Sequence, residues 1–559
     1  MRTETAFDPS WIVHRDAHYV VVDKPAGMLS IERDAGGTIS LVARLSEHLG
    51  RTRPLAVLSR LDQETSGLVA FPLSEEAQRL MAKATEAHAL DKRYVAAVSI
   101  ARGGRAPSGR MEDELIERDG LVSVAKGRGG KRAVAHAKVL HTRGPRALVE
   151  VTLETGRTHQ IRVQLAHRGA PIGGDGLYGG ELAPRLLLAS VSVTLPHPER
   201  GSLTVTRERP PIFDRWVDGT LTDLEAWHAA LPVAIERRAG LFAAARAASD
   251  ATTAFRLVSE SGDGVPGVAV DVYGEHLVVH LHDTPLSEAA ILDALEGLRP
   301  RGVYLKRRPK KAQDLSKKDL EAHAPSAPLR GEPAPEPLVV RELGVPYAVR
   351  LGDGMSTGLF LDQRENRRRV RERAAGRSVL NLFSYTCAFT VAAAVGGASR
   401  TLSVDASSRA LERGRENLAL SGHEGPSHRF VADDVFDVLA RLGKRGERFD
   451  LVCVDPPTFS TTKRTRWTSG KDWAGLFAKV LAVLAEGGAV LATSNDRRMT
   501  QGAFRAYARA GAEEAAVPLA RVVDLPEPLD FRAHHVDRRA DAAGPGESPL
   551  LKGLWIERG

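Results

Sequence analysis

The 559 residues carry 78 Lys and Arg against 70 Asp and Glu, a net charge of +8, with 43% hydrophobic and 26% charged residues. That length exceeds what one hydrophobic core serves and predicts about three to four domains of ordinary globular composition. Two cysteines, Cys387 and Cys453, exclude a disulfide framework and a four-cysteine metal site, so no metal is expected. Neither a basic-then-apolar leader nor a run of about 18 apolar residues is present, so a cytoplasmic location is expected, with no signal peptide and no membrane span. The basic excess gathers in KRRPKK (306–311), RENRRRVRER (364–373) and TKRTR (462–466). Each run alone reads as readily as a solvated face; three together predict a polyanionic partner.

In chain order, HYVVVDKPAGM (18–28), RYVAAVSI (93–100), AVAHAKVL (133–140) and ALVEVTLETG (147–156) read as short strands punctuated by Gly and Pro. SEEAQRLMAKATEA (74–87) predicts a helix: Ala77, Leu80, Met81 and Ala84 share a face, and Ser74 stands as its cap. Strands with few helices and no regular alternation predict an α+β domain over 1–220. A helical linker follows over 221–250. A small β-rich α+β accessory or RNA-binding domain is expected over 251–337, starting with FRLVSESGDGVPGVAVDVYGEHLVVHL (255–281). It closes on a Pro/Ala-rich stretch (322–337) expected to be a mobile loop. Over 338–559 the apolar strands SVLNLFSYT (378–386), TLSVDAS (401–407), HRFVADD (428–434), FDLVCVD (449–455) and GGAVLATSN (487–495) alternate with helical segments. That alternation is the mark of a doubly wound α/β sheet.

Three segments of the first domain carry chemistry: DKPAG (23–27), SRLDQETSG (59–67) and TGRTHQIRVQLAHRGAPIGGDGLYG (155–179). An acid in a Thr-Ser-Gly turn is usually no more than a turn bonded to its own backbone. In this order and spacing, however, the three segments resemble the RluA-type RNA pseudouridine synthases over about residues 11–215. The resemblance implies that Asp62 is the catalytic carboxylate, nucleophile or base, opposite a sugar of oxocarbenium-like or glycal character. It implies further that Tyr94 stacks on the base and helps remove the carbon-5 proton. Arg162 would pair with Asp62 and keep it ionised. Arg60 would fill the space left by a flipped nucleotide, and Arg157 would contact RNA. No cofactor is implied. Two positions depart from the family pattern, Ser59 and Gln164 standing where histidines are usual, so substrate fit is expected to differ.

In the last domain, STGLFLDQRENR (356–367), VLNLFSYTCAFTVAAAVGGA (379–398) and VDPPTFSTTKR (454–464) resemble class I S-adenosylmethionine-dependent RNA methyltransferases. Among these they are most similar to large-subunit ribosomal RNA enzymes, from about residue 250 onward. The resemblance implies that Phe383, Ser384, Tyr385 and Thr386 approach the cofactor's methionine end. Asp405 would hold its ribose, Asp433 would lie near its adenine, and Gln363 would flank it. Asp455, Pro456 and Pro457 would meet the target base, with Phe459 stacked on it, and Lys463 and Arg464 would hold RNA. A lone Asp after a strand is more often a helix cap; five blocks in register favour the cofactor reading. The loops DPPTFS and ATSNDRRM contain no cysteine, which argues against thiolate-dependent methylation of cytosine carbon 5 and leaves Cys387 and Cys453 as structural residues. A guanine ring nitrogen, N7 by resemblance, is the expected target.

The expectation is a multidomain enzyme that isomerises uridine and methylates a base, with large-subunit ribosomal RNA or assembly intermediates as its substrate. Two alternatives stand beside it. One active half can use the other as an RNA-binding platform, or the whole can be a non-catalytic ribosome-assembly protein. Asp62, Tyr94, Arg162, Asp405 and Asp455 argue against the last.

Overall fold

Apolar alternation in the first part of the chain builds one ten-stranded sheet. In spatial order its strands are Ile12–Arg15, Tyr19–Lys24, Ser66–Pro72, Leu188–His197, Asp91–Ser99, Arg146–Leu153, Lys131–Arg143, Gly109–Arg118 and Leu121–Val124, with Gly201–Thr206 also paired to Leu188–His197. The computed structural model describes residues 6–32, 39–118, 120–125, 127, 129–247, 250–309, 317–461, 466–532 and 551–559. Neighbouring strands run antiparallel except Ser66–Pro72 and Leu188–His197, which pair in parallel at Ser66–Ala189 and Gly67–Ser190. Gly67 makes that pairing possible. Its φ is +110°, and a Cβ there would lie 2.2 Å from the Ser190 carbonyl oxygen. The helix expected at 74–87 spans Glu75–Glu86, capped by the Ser74 hydroxyl, which accepts from the Ala77 N–H.

The linker is more than a connection. Its helix Asp223–Arg237 starts with a capping box from Thr222 and Glu225. One face, Trp227, Ala230, Leu231 and Ala234, joins a core with Phe255, Leu257, Val268 and Val270 of the next sheet. Another lies on the first domain, where Glu236 takes a bidentate pair from Arg44 at 3.1 and 3.0 Å. There Gly27, at φ +85°, lets DKPAG close on the helix, since a Cβ would sit 2.7 Å from the Val233 carbonyl oxygen. Gly27→Ala is therefore expected to lower stability by about 1–3 kcal/mol through backbone strain, with the clash added. A denaturant midpoint unchanged from wild type would refute this.

The middle sheet runs Ala254–Ser259, Val268–Tyr273, His276–Leu281, Gly302–Arg307 and Arg330–Gly331. Its last strand corrects the expectation of a mobile loop over 322–337. Gly331 and Arg330 pair with Gly302 and Val303, and the Ala334 N–H donates to the Tyr304 hydroxyl at 2.9 Å. The contacts there are made by backbone groups of Arg330, Gly331 and Ala334, which apolar periodicity does not reveal.

The final sheet has the spatial order His428–Ala432, Arg400–Asp405, Ser378–Leu382, Phe449–Val454, Leu484–Ser494, Lys552–Arg558, Leu519–Leu525. The first five strands are parallel, and Lys552–Arg558 runs antiparallel to both neighbours. Strand order reverses between Ser378–Leu382 and Phe449–Val454. Such a reversal opens a crevice beyond the carboxyl ends of the two strands. No described helix is long and apolar enough to cross a membrane.

Candidate active sites

The first site is a cleft of about 490 Å³ whose lining includes Ser59, Arg60, Asp62, Tyr94, Arg157 and Arg162. Asp62 precedes the strand Ser66–Pro72 in a turn closed by the Thr65 N–H donating to the Asp62 carbonyl at 3.1 Å. DKPAG clamps this turn. Lys24 is fully buried, and its Nζ donates to the carbonyls of Pro25 (3.0 Å), Met28 (2.8 Å) and Gln63 (3.0 Å). Burial pushes the Lys24 ammonium down to about 7, against the opposing pull of Glu64 and Asp62.

Arg162 pairs with Asp62 as expected, but through one nitrogen only, because a second acid holds the rest of its guanidinium. Its Nε and Nη2 donate to Asp175 at 2.7 and 2.8 Å, and only Nη1 approaches Asp62, at 4.0 Å. Asp175 is buried, and it fixes the guanidinium plane that faces Asp62. His159, in a left-handed conformation (φ 52°) at the head of the helix Gln160–His167, places Nε2 4.0 Å from Asp62. Its other ring nitrogen meets the Tyr178 hydroxyl at 2.8 Å. Burial first, then Arg162, lowers the pKa of His159, so the ring is neutral. Burial and the Asp62 charge push the Tyr94 phenol far up. A phenol so held stays protonated in the cleft. It can still stack.

The two family departures have different fates. Ser59 lines the cleft and accepts a hydrogen bond from Lys92 Nζ at 2.7 Å. Gln164 is fully buried away from it, donating to Asp113 at 2.8 Å and to the Ala133 carbonyl at 3.2 Å. Arg157 Nε donates to the Arg132 carbonyl at 3.0 Å, and Arg60 is exposed at the rim.

The second site is a cavity of about 570 Å³ at the strand-order reversal. Its floor is the turn after Ser378–Leu382, where Phe383 (φ 54°), Tyr385 (φ 48°) and Cys387 (φ 59°) all adopt left-handed conformations. Three such residues in five store strain that the surroundings must hold. Asp405 does much of the holding, accepting from the backbone N–H groups of Tyr385 and Ser407, each at 2.8 Å. The Thr386 hydroxyl donates to the Gly358 carbonyl at 2.6 Å, and Ser384 also lines the cavity.

Gln363 Nε2 donates to Asp455 Oδ2 at 3.0 Å and to the Thr493 hydroxyl at 2.9 Å, and that hydroxyl donates to Asp455 Oδ1 at 2.6 Å. Burial raises Asp455 to about 6, with Thr493 and Gln363 pulling the other way. Pro456 and Pro457 line the cavity, and the Pro457 carbonyl is latched by Trp467 Nε1 at 2.7 Å. Phe459 stands half exposed outside the lining, in a two-stranded ribbon with Arg466–Thr468. Lys463 and Arg464 lie outside the described residues.

Asp433 is corrected as well. It turns away to Arg441 (2.6 Å) and is replaced in the lining by Asp434, Val435 and Phe436. Asp434 caps the helix Val435–Lys444, and the start of that helix turns the second of the two acids inward. Cys387 and Cys453 line neither cavity, and burial raises the Cys387 thiol to about 11. Asp362, Arg367 and Asn495 line the second cavity without having been singled out. Asp362 and Arg367 lie in the quoted STGLFLDQRENR block, and Asn495 ends the quoted GGAVLATSN strand.

Residues 18–167 match the RNA pseudouridylate synthase family, and residues 311–537 match the S-adenosylmethionine-dependent methyltransferase family. Ribosomal RNA large subunit methyltransferase I of Escherichia coli (strain SMS-3-5) is 32% identical over 292 residues, 52% of this chain and 72% of that protein. YwbD of Bacillus subtilis (strain 168), provisionally named a ribosomal RNA large subunit methyltransferase, is 34% identical over 307 residues, 54% of this chain and 74% of its own. The chain belongs to this methyltransferase family, behind an RNA pseudouridylate synthase domain. SMU.776, a candidate methyltransferase solved in complex with SAH, superposes with a TM-score of 0.51 at 27% identity, covering 66% of this chain and 88% of that one.

The methyltransferase half uses S-adenosylmethionine. Its cavity has the make-up for such a molecule: an acid at the end of the second strand, aromatic walls from Phe383 and Phe436, and polar backbone in the strained turn.

Proposed function

We propose that the chain is a bifunctional RNA-modifying enzyme that converts a uridine to pseudouridine and methylates a base, with large-subunit ribosomal RNA as substrate. The observation that carries this reading is that Asp62, Tyr94, Arg157 and Arg162, drawn from three remote segments, line one cleft. In that cleft the uridine's bond from N1 to the sugar C1′ breaks. Asp62 either adds to C1′ or removes a sugar proton; the detached base then turns and carbon 5 bonds to C1′ as the Asp62–C1′ bond breaks or Asp62 returns the proton to the sugar. The proton on carbon 5 then leaves. Tyr94 supports the turning base by stacking, and Arg162, fixed by Asp175, holds the Asp62 side of the cleft positive.

In the second cavity Asp405 would hold the ribose hydroxyls, Phe383 and Phe436 the adenine, and the Phe383–Thr386 turn the methionine end. S-adenosylmethionine supplies an electrophilic methyl group when bound. Asp455 accepts from N1–H and N2–H of a guanine, aiming N7, whose lone pair takes the methyl without a base or a thiolate. Lys463 and Arg464 would hold RNA phosphates. The names of the two relatives support ribosomal RNA as the substrate.

Mass-spectrometric mapping of ribosomal and transfer RNA from cells with and without the gene tests this. Loss of one pseudouridine and one methylguanine is expected; loss of a 5-methylcytosine instead would overturn the assignment of the methylated atom. A second test follows from Asp455, raised to about 6 and therefore protonated below that pH. Methyl transfer should rise as pH passes upward through about 6, and Asp455→Asn should lower the rate and abolish that limb. A wild-type rate flat from pH 5 to 8 counts against Asp455 as the acceptor.

A further inference from the structure

Glu64, two residues beyond Asp62, does not line the cleft. Its carboxylate reaches out of the synthase half. It accepts from Arg237 Nε at 3.1 and 3.0 Å, from Arg237 Nη2 at 2.5 Å, and from Arg532 Nη1 at 2.9 Å. Arg237 ends the linker helix, and Arg532 follows the strand Leu519–Leu525 of the methyltransferase half. Burial opposes the charge on Glu64, but the two guanidiniums outweigh it and hold its pKa far below the carboxylate range.

The pairing continues inward. Arg237 and Arg238 both donate to Asp263 at 2.7 Å, and Arg238 Nη2 donates to the Asp530 carbonyl at 2.7 Å. The Asp530 carboxylate takes Arg364 at 3.1 and 2.5 Å. Arg364 follows Gln363, which bonds Asp455. A run of ion pairs and hydrogen bonds, bridged by the chain itself between Arg364 and Gln363, therefore leads from the Asp62 turn to the methyltransferase cavity.

We propose that Glu64 and Arg532 are positioning residues for pseudouridine synthesis, the methyltransferase half gripping the turn that presents Asp62. The inference rests on Asp62 being the reacting carboxylate. The other ties on that turn, from Lys24, Gly27 and Thr65, come from within the synthase half; Glu64 brings in the rest of the molecule. A shift of about 1 Å in a reacting group is enough to cost orders of magnitude in rate. Glu64 also faces buried Lys24, as do Asp62, Glu236 and Arg185. Removing the Glu64 charge lowers the pH at which Lys24 gives up its third donor, and with it one tie on the turn.

The test uses the full chain and in vitro transcribed large-subunit ribosomal RNA carrying tritium at uridine carbon 5, with tritium release as the rate. Glu64→Gln and Arg532→Gln should lower kcat at least tenfold with KM within twofold, and S-adenosylmethionine affinity should stay within twofold. Arg532→Lys should restore at least half of the rate. Glu64→Gln should also shift the alkaline limb of the pH profile downward. If both glutamine variants keep kcat within twofold while Asp62→Asn is inactive, the positioning inference fails and the Asp62 assignment stands. If Asp62→Asn is fully active, that assignment itself fails, and the inference with it. Loss of cofactor affinity alongside synthesis, or no recovery with Arg532→Lys, makes Arg532 a purely structural residue and overturns the inference as well.

Discussion

Asp62→Asn is expected to lower pseudouridine formation by about 10³-fold or more, the scale of a lost nucleophile or base, while S-adenosylmethionine binding stays within twofold. Asparagine keeps the shape of the side chain and its place 4.0 Å from both Arg162 and His159, so the variant removes charge and nucleophilicity rather than packing. The other carboxylate lining the cleft, Glu154, is bonded to His136 at 2.6 Å and is poorly placed to substitute. Tritium release retained above a tenth of the wild-type rate would show that another group carries the reaction.

Asp263→Ala is expected to be the most damaging change away from both cavities. Asp263 is buried and accepts from Arg237, Arg238 and the Ser259 N–H. Burial opposes its charge, yet Arg238 and Arg237 hold its pKa well below the carboxylate range. Truncation leaves two buried guanidiniums without their shared partner, a loss of about 3–5 kcal/mol. A chain of several domains does not unfold in one step, so the measurement is the denaturant midpoint of the transition in which buried Trp227, in the adjoining core, becomes exposed. Asp263→Asn, which retains an acceptor, should lose less. Equal midpoints for wild type and Asp263→Ala would mean the ionic junction contributes little stability.

The residues legible in the sequence are those whose function is local to one strand and the turn after it. SRLDQETSG, NLFSYT and DPPTFS each put backbone and side chain on the same short segment, and the corresponding cavities form at those turns. What was missed depends on pairing across distance. Asp175 is an acid in a glycine-rich turn until Arg162 folds against it, and nothing in SRLDQETSG says that Glu64 will meet residue 532. The choice between Asp433 and Asp434 turned on where a helix starts, a matter of one residue. The final sheet was legible as alternating strands and helices, but its strand order was not.

That order has a consequence in time. Lys552–Arg558 lies between Leu484–Ser494 and Leu519–Leu525 and bonds to both. During translation Leu519–Leu525 emerges before the strand that will tether it to the sheet, whereas every strand of the synthase sheet is out by Thr206. Domains fold as they emerge. The isomerising half therefore has its complete sheet while the methylating half still lacks an interior rung, and Arg532, just beyond Leu519–Leu525, docks on a partner already folded.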